Sequence, residues 1–511
     1  MSSASLQLVV DQLGPVGHGK VTIRPLTVLI GRNNTGKTYV SQALYACRQA
    51  LSNVLPRTSE SLRSEVRDGL LAIAREQIGS SSNDGRDGVV LPESVRGYLS
   101  RLISETLEDA GRALQDRLKA TFGIEELVGI ATWGDDPQLR LEMRHDRALP
   151  NGDECLFGTA GSTASINPEL GLLDLDWVEP DIALQRAFHR RLLLQQMQQQ
   201  LFSEELSGDD RDERFGEFAW RLGGSYWGSF LEHIQMDGQT HYLPAGRSGL
   251  LNAWTDVVKL RIQLERERFG LPTFVDPSLD GVALDFIASL ADVMGRQLRR
   301  RRRPANPFGA DESPDASALD AAKALLEEVM EGKIIVEPDA DLVPTLAYEQ
   351  HGHRISIRHA SSMVADLAPL SIWMERLLAP GDMLIVDEPE SHLHPEAIRL
   401  VARVLVRLAN AGVRVVCATH SSVLLHEISN AILRQETSVR AAADRAAGYL
   451  QDDCLRSEDV AVHRFDRSAP GALVKVDRVK IDPLWGIPED EFVKVAQDLA
   501  DDSARLVGQL D

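Results

Sequence analysis

At 511 residues, with 43% hydrophobic and 26% charged side chains, the chain has room for several domains and enough apolar surface to bury a sizeable core. Its formal charge of −21, from 55 basic against 76 acidic residues, excludes a surface broadly adhesive to nucleic acid or anionic membrane and leaves only a local basic groove. Cys47, Cys155, Cys417 and Cys454 have no paired spacing, so neither a zinc site nor a disulfide framework is expected. Residues 1–5 lack the pattern of a secretion signal, and no apolar run nears the ~20 residues that span a bilayer. A soluble, cytoplasmic protein with no membrane partner is the expectation.

In chain order, residues 6–10 and 20–23 read as strands around a turn at 13–16, and 26–30 as a third strand. That strand ends in Gly31-Arg32-Asn33-Asn34-Thr35-Gly36-Lys37-Thr38, the pattern G-x-x-x-x-G-K-T, and residues 39–47 continue as a helix. Strand, glycine loop and helix together make a phosphate-binding loop. Gly31 and Gly36 let the backbone N–H groups of the loop (Asn33, Asn34 and Thr35 among its residues) turn inward, and the following helix aims its positive end at the same point. Lys37 would reach the β- and γ-phosphates of ATP, and the Thr38 hydroxyl would join a Mg²⁺ shell.

From about residue 57 the pattern turns to amphipathic helix, at 59–78 and 92–120, with a Gly/Ser/Asp loop from Gly79 between them. Residues 127–133 and 139–144 read as a hairpin, and a Gln-rich helix is expected over 181–206. The segment 241–250 is a strand entering a Gly/Ser turn with one arginine, Arg247. Arg299 to Arg303 lie in a loop by composition and read as a solvated run ahead of a nucleic-acid contact. A helix near 315–331 and strands near 333–337, 344–349 and 353–358 follow. Residues 383–386 are an unbroken apolar run, as a buried parallel strand requires, and end in Asp387-Glu388-Pro389. The C-terminal ends of such strands are where an open α/β sheet binds ligands. There Asp387 would hold Mg²⁺ through water and Glu388 would polarise the attacking water, while Glu390 reads as a helix cap. Pro395 opens a helix that Gly412 ends, and residues 414–418 form a strand delivering His420, placed to meet a γ-phosphate. The tail offers strands at 460–466 and 472–479 and a helix from about 489, and the Asp174/Asp176 and Asp339/Asp341 pairs read as solvated acids.

Taken together, the phosphate loop, Ser361-Ser362 opening a helix, the run from Leu384 to Pro395 and Ala418-Thr419-His420-Ser421 resemble the heads of ABC-type ATPases. The resemblance is to the OLD, RecF and SMC group and to bacterial AAA family ATPases of phage-defence operons, which share a segment similar to Leu243-Pro244-Ala245-Gly246-Arg247-Ser248. It covers about residues 5–50 and 240–435. It implies an α/β head with a mixed sheet flanked by helices, a homodimer closing around two ATP molecules, and Ser361 or Ser362 of one copy touching the γ-phosphate bound in the other. His392 to His394 would form the loop that communicates between the sites. The glycine expected after the signature serines is Met363. No Toprim acid set follows the head.

The organisation expected is an N-terminal ATPase lobe at 1–50, a mainly helical insertion at 51–240, a return segment at 241–330, a C-terminal ATPase lobe at 331–435 and a small α+β extension at 436–511. The function expected is Mg²⁺-dependent ATP hydrolysis in a dimeric switch of a bacterial defence or DNA-maintenance complex, controlling an effector such as a nuclease, with possible DNA contact. A RecF-like repair ATPase and a scaffold that binds ATP without turnover are the alternatives.

Overall fold

The computed structural model describes residues 4–54, 93–122, 138–145, 154–158, 238–253, 281–295, 314–337, 345–436, 449–469, 471–482, 485–488 and 490–507. Two compact units divide the chain. One comprises Met1–Ala4, Arg48–Asp116 and Arg140–Asp237; the other comprises Ser5–Cys47, Arg117–Leu139 and Gly238–Asp511.

The larger unit is organised by a mixed sheet whose central parallel strands read as apolar runs because both faces are covered. In chain order the strands of this sheet are β1 (Ala4–Leu13), β2 (Val16–Thr22) and β3 (Leu26–Gly31), then, past the residues of the smaller unit, β6 (Thr240–Leu243). After β6 come β10 (Met383–Asp387), β11 (Arg414–Thr419), β12 (Val460–Arg467) and β13 (Val474–Val479). Their order across the sheet is β1-β2-β13-β12-β3-β11-β10-β6. The run β12-β3-β11-β10-β6 is parallel throughout, with Leu29 opposite Ala418 and Asp387 also opposite Ala418. Antiparallel pairs β1-β2 and β12-β13 make the sheet mixed. A small antiparallel sheet, β7 (Lys333–Glu337), β8 (Thr345–Gln350) and β9 (His353–Ser356), sits in the expected places.

The described helices are α1 (Lys37–Asn53), α2 (Glu93–Phe122), α3 (Gly281–Gly295), α4 (Pro314–Met330), α5 (Ser362–Arg376), α6 (Pro395–Asn410), α7 (Ser422–Glu436) and α8 (Asp490–Val507). Strand residues alternate between two faces. Val28, Val386, Val415 and Val462 join one core with Phe286 of α3, Leu326 of α4, Trp373 of α5, Leu405 of α6 and Ile428 of α7. Trp373 meets Phe286 edge-on at 5.7 Å. Leu29, Ile385 and Val416 alternate with those residues and are fully buried too. On that second face Tyr242 of β6 meets Tyr45 of α1, 5.4 Å between ring centroids.

The C-terminal segment is part of this sheet. β12 lies directly against β3, the strand that carries the phosphate loop, and β13 continues parallel to β2. The expected α+β extension at 436–511 thus supplies two strands to the main sheet. Its strands close the sheet between β3 and the N-terminal hairpin. The reason is the burial of Val460, Ala461, Val462 and Phe465, which only a central position provides.

In the smaller unit, the described part of the insertion holds the α2 residues up to Asp116 and an antiparallel pair, β4 (Gln138–His145) from Arg140 onward with β5 (Glu154–Gly158). The expected partner of 139–144 was 127–133; the strand paired with it is 154–158, and 127–133 lies outside the described residues. The expected helices at 59–78 and 181–206, the arginines 299–303 and both Asp-x-Asp pairs also lie outside them.

Candidate functional site

The glycine loop leaves β3 and enters α1 as expected, and its two glycines are dictated by their neighbours. Gly31 has φ +145°, and a Cβ there would stand 2.5 Å from the Phe465 backbone oxygen of β12. Gly36 has φ +91°, with Val16 and Pro15 within 2.9 Å of an added Cβ. Asn34 also takes a left-handed conformation, φ 62°, and Arg467 of β12 donates to its carbonyl at 3.2 Å. Asn33, Asn34 and Thr38 are exposed; Thr35 is buried and donates to the Arg32 carbonyl at 2.7 Å. Lys37 folds over the loop, its Nζ 2.7 Å from the Gly31 oxygen and 2.8 Å from the Arg32 oxygen. The lysine therefore sits at the mouth of the loop, bonded to carbonyls that a phosphate can replace as its partners.

The parallel order β3-β11-β10 brings the other expected residues to the same edge of the sheet. Asp387 ends β10 with its residue 2% exposed. Its Oδ1 accepts from Ser41 Oγ at 3.0 Å and its Oδ2 from the Tyr242 hydroxyl at 2.6 Å; Ser41 Oγ and that hydroxyl are 2.9 Å apart. Burial pushes the Asp387 carboxyl up to about 6, against the hydrogen bonds from Tyr242, Ser41 and Thr38, while the nearby Glu388 charge adds to the rise. A buried carboxylate with hydroxyl partners and a shortage of positive charge is chemically suited to a hydrated Mg²⁺.

Glu388 and His420 approach one another, with His420 Nδ1 3.9 Å from Glu388 Oε1. Both side chains are 43% exposed, so both can meet a ligand. Glu388 has φ 47°, its N–H donates to the Ala418 oxygen at 2.8 Å, and Ser391 Oγ donates to its Oε2 at 3.2 Å. Glu390 departs from its expected role as a helix cap. Its Oε1 accepts from Thr419 Oγ1 at 2.7 Å and from the His420 N–H at 3.0 Å, fixing the end of β11. The cap of α6 is His394, whose ring accepts from the Glu396 N–H at 3.4 Å.

Ser361 and Ser362 stand apart from this cluster, exposed at the start of α5. Ser361 is the N-cap, accepting from the Val364 N–H at 3.3 Å. Met363, in place of the expected glycine, packs against the core. Ser41, Tyr242 and Asp366 carry no local signal in the sequence, and the position of Arg247 after a strand names no partner for it.

Comparison with known proteins adds four observations. Residues 253–426 match the family model described as "AAA domain, putative AbiEii toxin, Type IV TA system". The chain is 35% identical over 115 residues to the Old nuclease of Escherichia phage P2, a match covering 22% of this chain and 19% of that protein's length. Among solved structures it overlaps the Smc head domain with an extended coiled coil bound to the C-terminal domain of ScpA, from Pyrococcus furiosus, at 12% identity and TM-score 0.30, covering 98% of this chain and 100% of that one. The SMC head domain from Thermotoga maritima overlaps at 8% identity and TM-score 0.30, covering 93% and 99%. The order of its sheet and the placement of its phosphate loop and acidic strand are those of a P-loop nucleotide-binding fold, and residues 253–426 match the AAA domain model.

Proposed function

We propose that the chain binds and hydrolyses ATP with Mg²⁺ and works as a dimeric nucleotide switch. The observation that carries this is the convergence of Lys37, Asp387, Glu388 and His420 at one edge of the parallel sheet. Backbone N–H groups from Asn33 to Thr38 and the Lys37 ammonium would bind the phosphates, and Thr38 and Asp387 would hold the ion. Bound Mg²⁺ supplies charge neutralisation across the β- and γ-phosphates. Glu388 would orient a water and accept its proton, and His420 would contact the γ-phosphate. Phosphoryl transfer needs positioning and charge more than covalent chemistry, so these few groups suffice.

Ser361 and Ser362 support the dimeric part of the reading, because their exposed helix start is free to meet a nucleotide held by a second copy. The likeness to the Old nuclease and the family description support a setting in bacterial defence or DNA maintenance, with a separate effector such as a nuclease. Among the described residues no cluster of three or more His, Cys, Asp or Glu side chains is arranged to hold a metal, and no helix is long and apolar enough to cross a membrane. With the C-terminal strands inside the sheet, the insertion and α8 are the proposed effector-docking regions.

The test is turnover of ATP by the purified chain with Mg²⁺, with and without DNA, alongside incubation with plasmid and phage DNA. Mg²⁺-dependent turnover lost in Lys37→Ala, with no cleavage by the chain alone, is expected. DNA cleavage that persists in Lys37→Ala and follows the protein peak would refute the separate effector.

A further inference from the structure

The segment from Glu388 to His392 is held in an unfavourable shape. Glu388 and His392 both adopt left-handed conformations, at φ 47° and 59°, although neither is glycine. Such residues are strained and persist only where their surroundings hold them. The start of the segment is gripped by Arg247, which follows β6 and is 2% exposed. Its Nε donates to the Asp366 oxygen at 2.9 Å, its Nη1 to the Asp387 oxygen at 2.9 Å and the Pro244 oxygen at 3.2 Å, and its Nη2 to the Glu388 oxygen at 3.2 Å.

Every one of these acceptors is a backbone carbonyl. A buried guanidinium ordinarily seeks a carboxylate, and Asp366, Asp387, Glu390 and Glu388 all lie near enough to act on it through their charge. Here its fork is spent on main chain instead, clamping both peptides that follow the acidic pair. The third anchor, Asp366, belongs to α5, the helix that Ser361 opens. Its buried side chain pairs with the ring of His392, at the far end of the strained segment.

We infer that Arg247 is the positioning residue for Glu388. It holds the Glu388 peptide in its left-handed conformation and ties that peptide to α5, so the base is correctly placed only when α5 is seated. This rests on the reading of Glu388 as base. It adds that an arginine far from the phosphates in sequence couples the signature helix to the acidic strand. Lysine cannot replace it, because an ammonium has no planar fork to span carbonyls from three segments.

The experiment uses the full chain with Arg247→Lys and Arg247→Ala. Three quantities are read: affinity for a fluorescent ATP analogue, kcat, and amide hydrogen exchange in the peptide spanning 386–393. Both variants are expected to bind nucleotide within about threefold of wild type while kcat falls about a hundredfold, the scale of a small misplacement of a catalytic group. Exchange across 386–393 should quicken about tenfold, the equivalent of losing one net hydrogen bond, with β3 and β11 unchanged. Methylguanidinium should restore part of the kcat of Arg247→Ala. If that variant does not fold, Arg247→Lys decides by its kcat and exchange. Unchanged kcat and exchange, or binding and kcat falling together without rescue, would overturn the inference. A wild-type chain that never turns over ATP defeats the hydrolysis reading instead, and the exchange result still judges Arg247.

Discussion

Asp387→Asn should make the nucleotide-free protein more stable. The carboxyl lies 2% exposed, and burial, with Glu388 beside it, lifts it from an ordinary 3.8 to about 6. At about 1.4 kcal/mol per pH unit, that rise is worth about 3 kcal/mol. The sign follows from proton counting. Between about pH 4 and pH 6 the native carboxyl holds a proton that the unfolded chain has released, so stability falls as pH rises through this window. Above it, wild type carries the full penalty of a buried charge, and the asparagine variant carries none. Its amide matches the carboxylate in shape and can still meet Ser41 and Tyr242. The assay is denaturant unfolding of both proteins without metal at several pH values. The stability gap should be near zero at about pH 4 and open to about 3 kcal/mol by about pH 7. Taking the difference cancels the opposite contribution of buried His463, which burial lowers to about 4. Mg²⁺ with ATP should narrow the gap by stabilising wild type more than the variant, which lacks the carboxylate for the ion. A variant less stable than wild type near neutrality, or a gap indifferent to pH, would refute the reasoning.

Further outcomes follow from other contacts. Lys37→Ala should abolish ATP binding by removing the charge at the mouth of the loop, read by equilibrium dialysis. Ser361→Arg with Ser362→Arg should spare ATP binding but prevent ATP-driven dimerisation on a sizing column; cysteines placed near that helix start that cross-link regardless of nucleotide would count against it. Asp453 is buried, which would raise its pKa, but bonds from Arg407 at 2.7 Å and Arg403 at 2.8 Å hold it low. Its stabilisation is therefore present above about pH 4 and lost as pH falls below that, and Asp453→Ala should cost about 3–5 kcal/mol in unfolding experiments at neutral pH. Replacing Arg299 to Arg303 with serine should weaken any DNA binding and flatten its salt dependence while leaving basal ATPase intact.

Much of the head was legible because its signals are local. Unbroken apolar runs betray strands buried on both faces, and glycines in fixed spacing betray a loop that folds on itself. The parts that were not legible are made by distant segments. β12 lies against β3 although Val462 and Val28 are separated by most of the chain, and its alternation alone does not name a partner. The hydroxyls on Asp387 come from α1 and β6, and Arg247 serves carbonyls on β10 and α5; no spacing rule links them. Glu390 looked like a cap because it precedes a proline-led helix. Burial turns it toward β11 instead, and His394 takes the cap.

The most direct test of the account is Glu388→Gln, measured for ATP affinity and for turnover on the same preparation. The amide keeps the shape of the side chain but cannot accept the proton of the attacking water. ATP binding within about threefold of wild type, turnover lowered by at least about a hundredfold, and a dimer that persists once ATP is added are the expected results. Hydrolysis at the wild-type rate would contradict the reading of Glu388 as base.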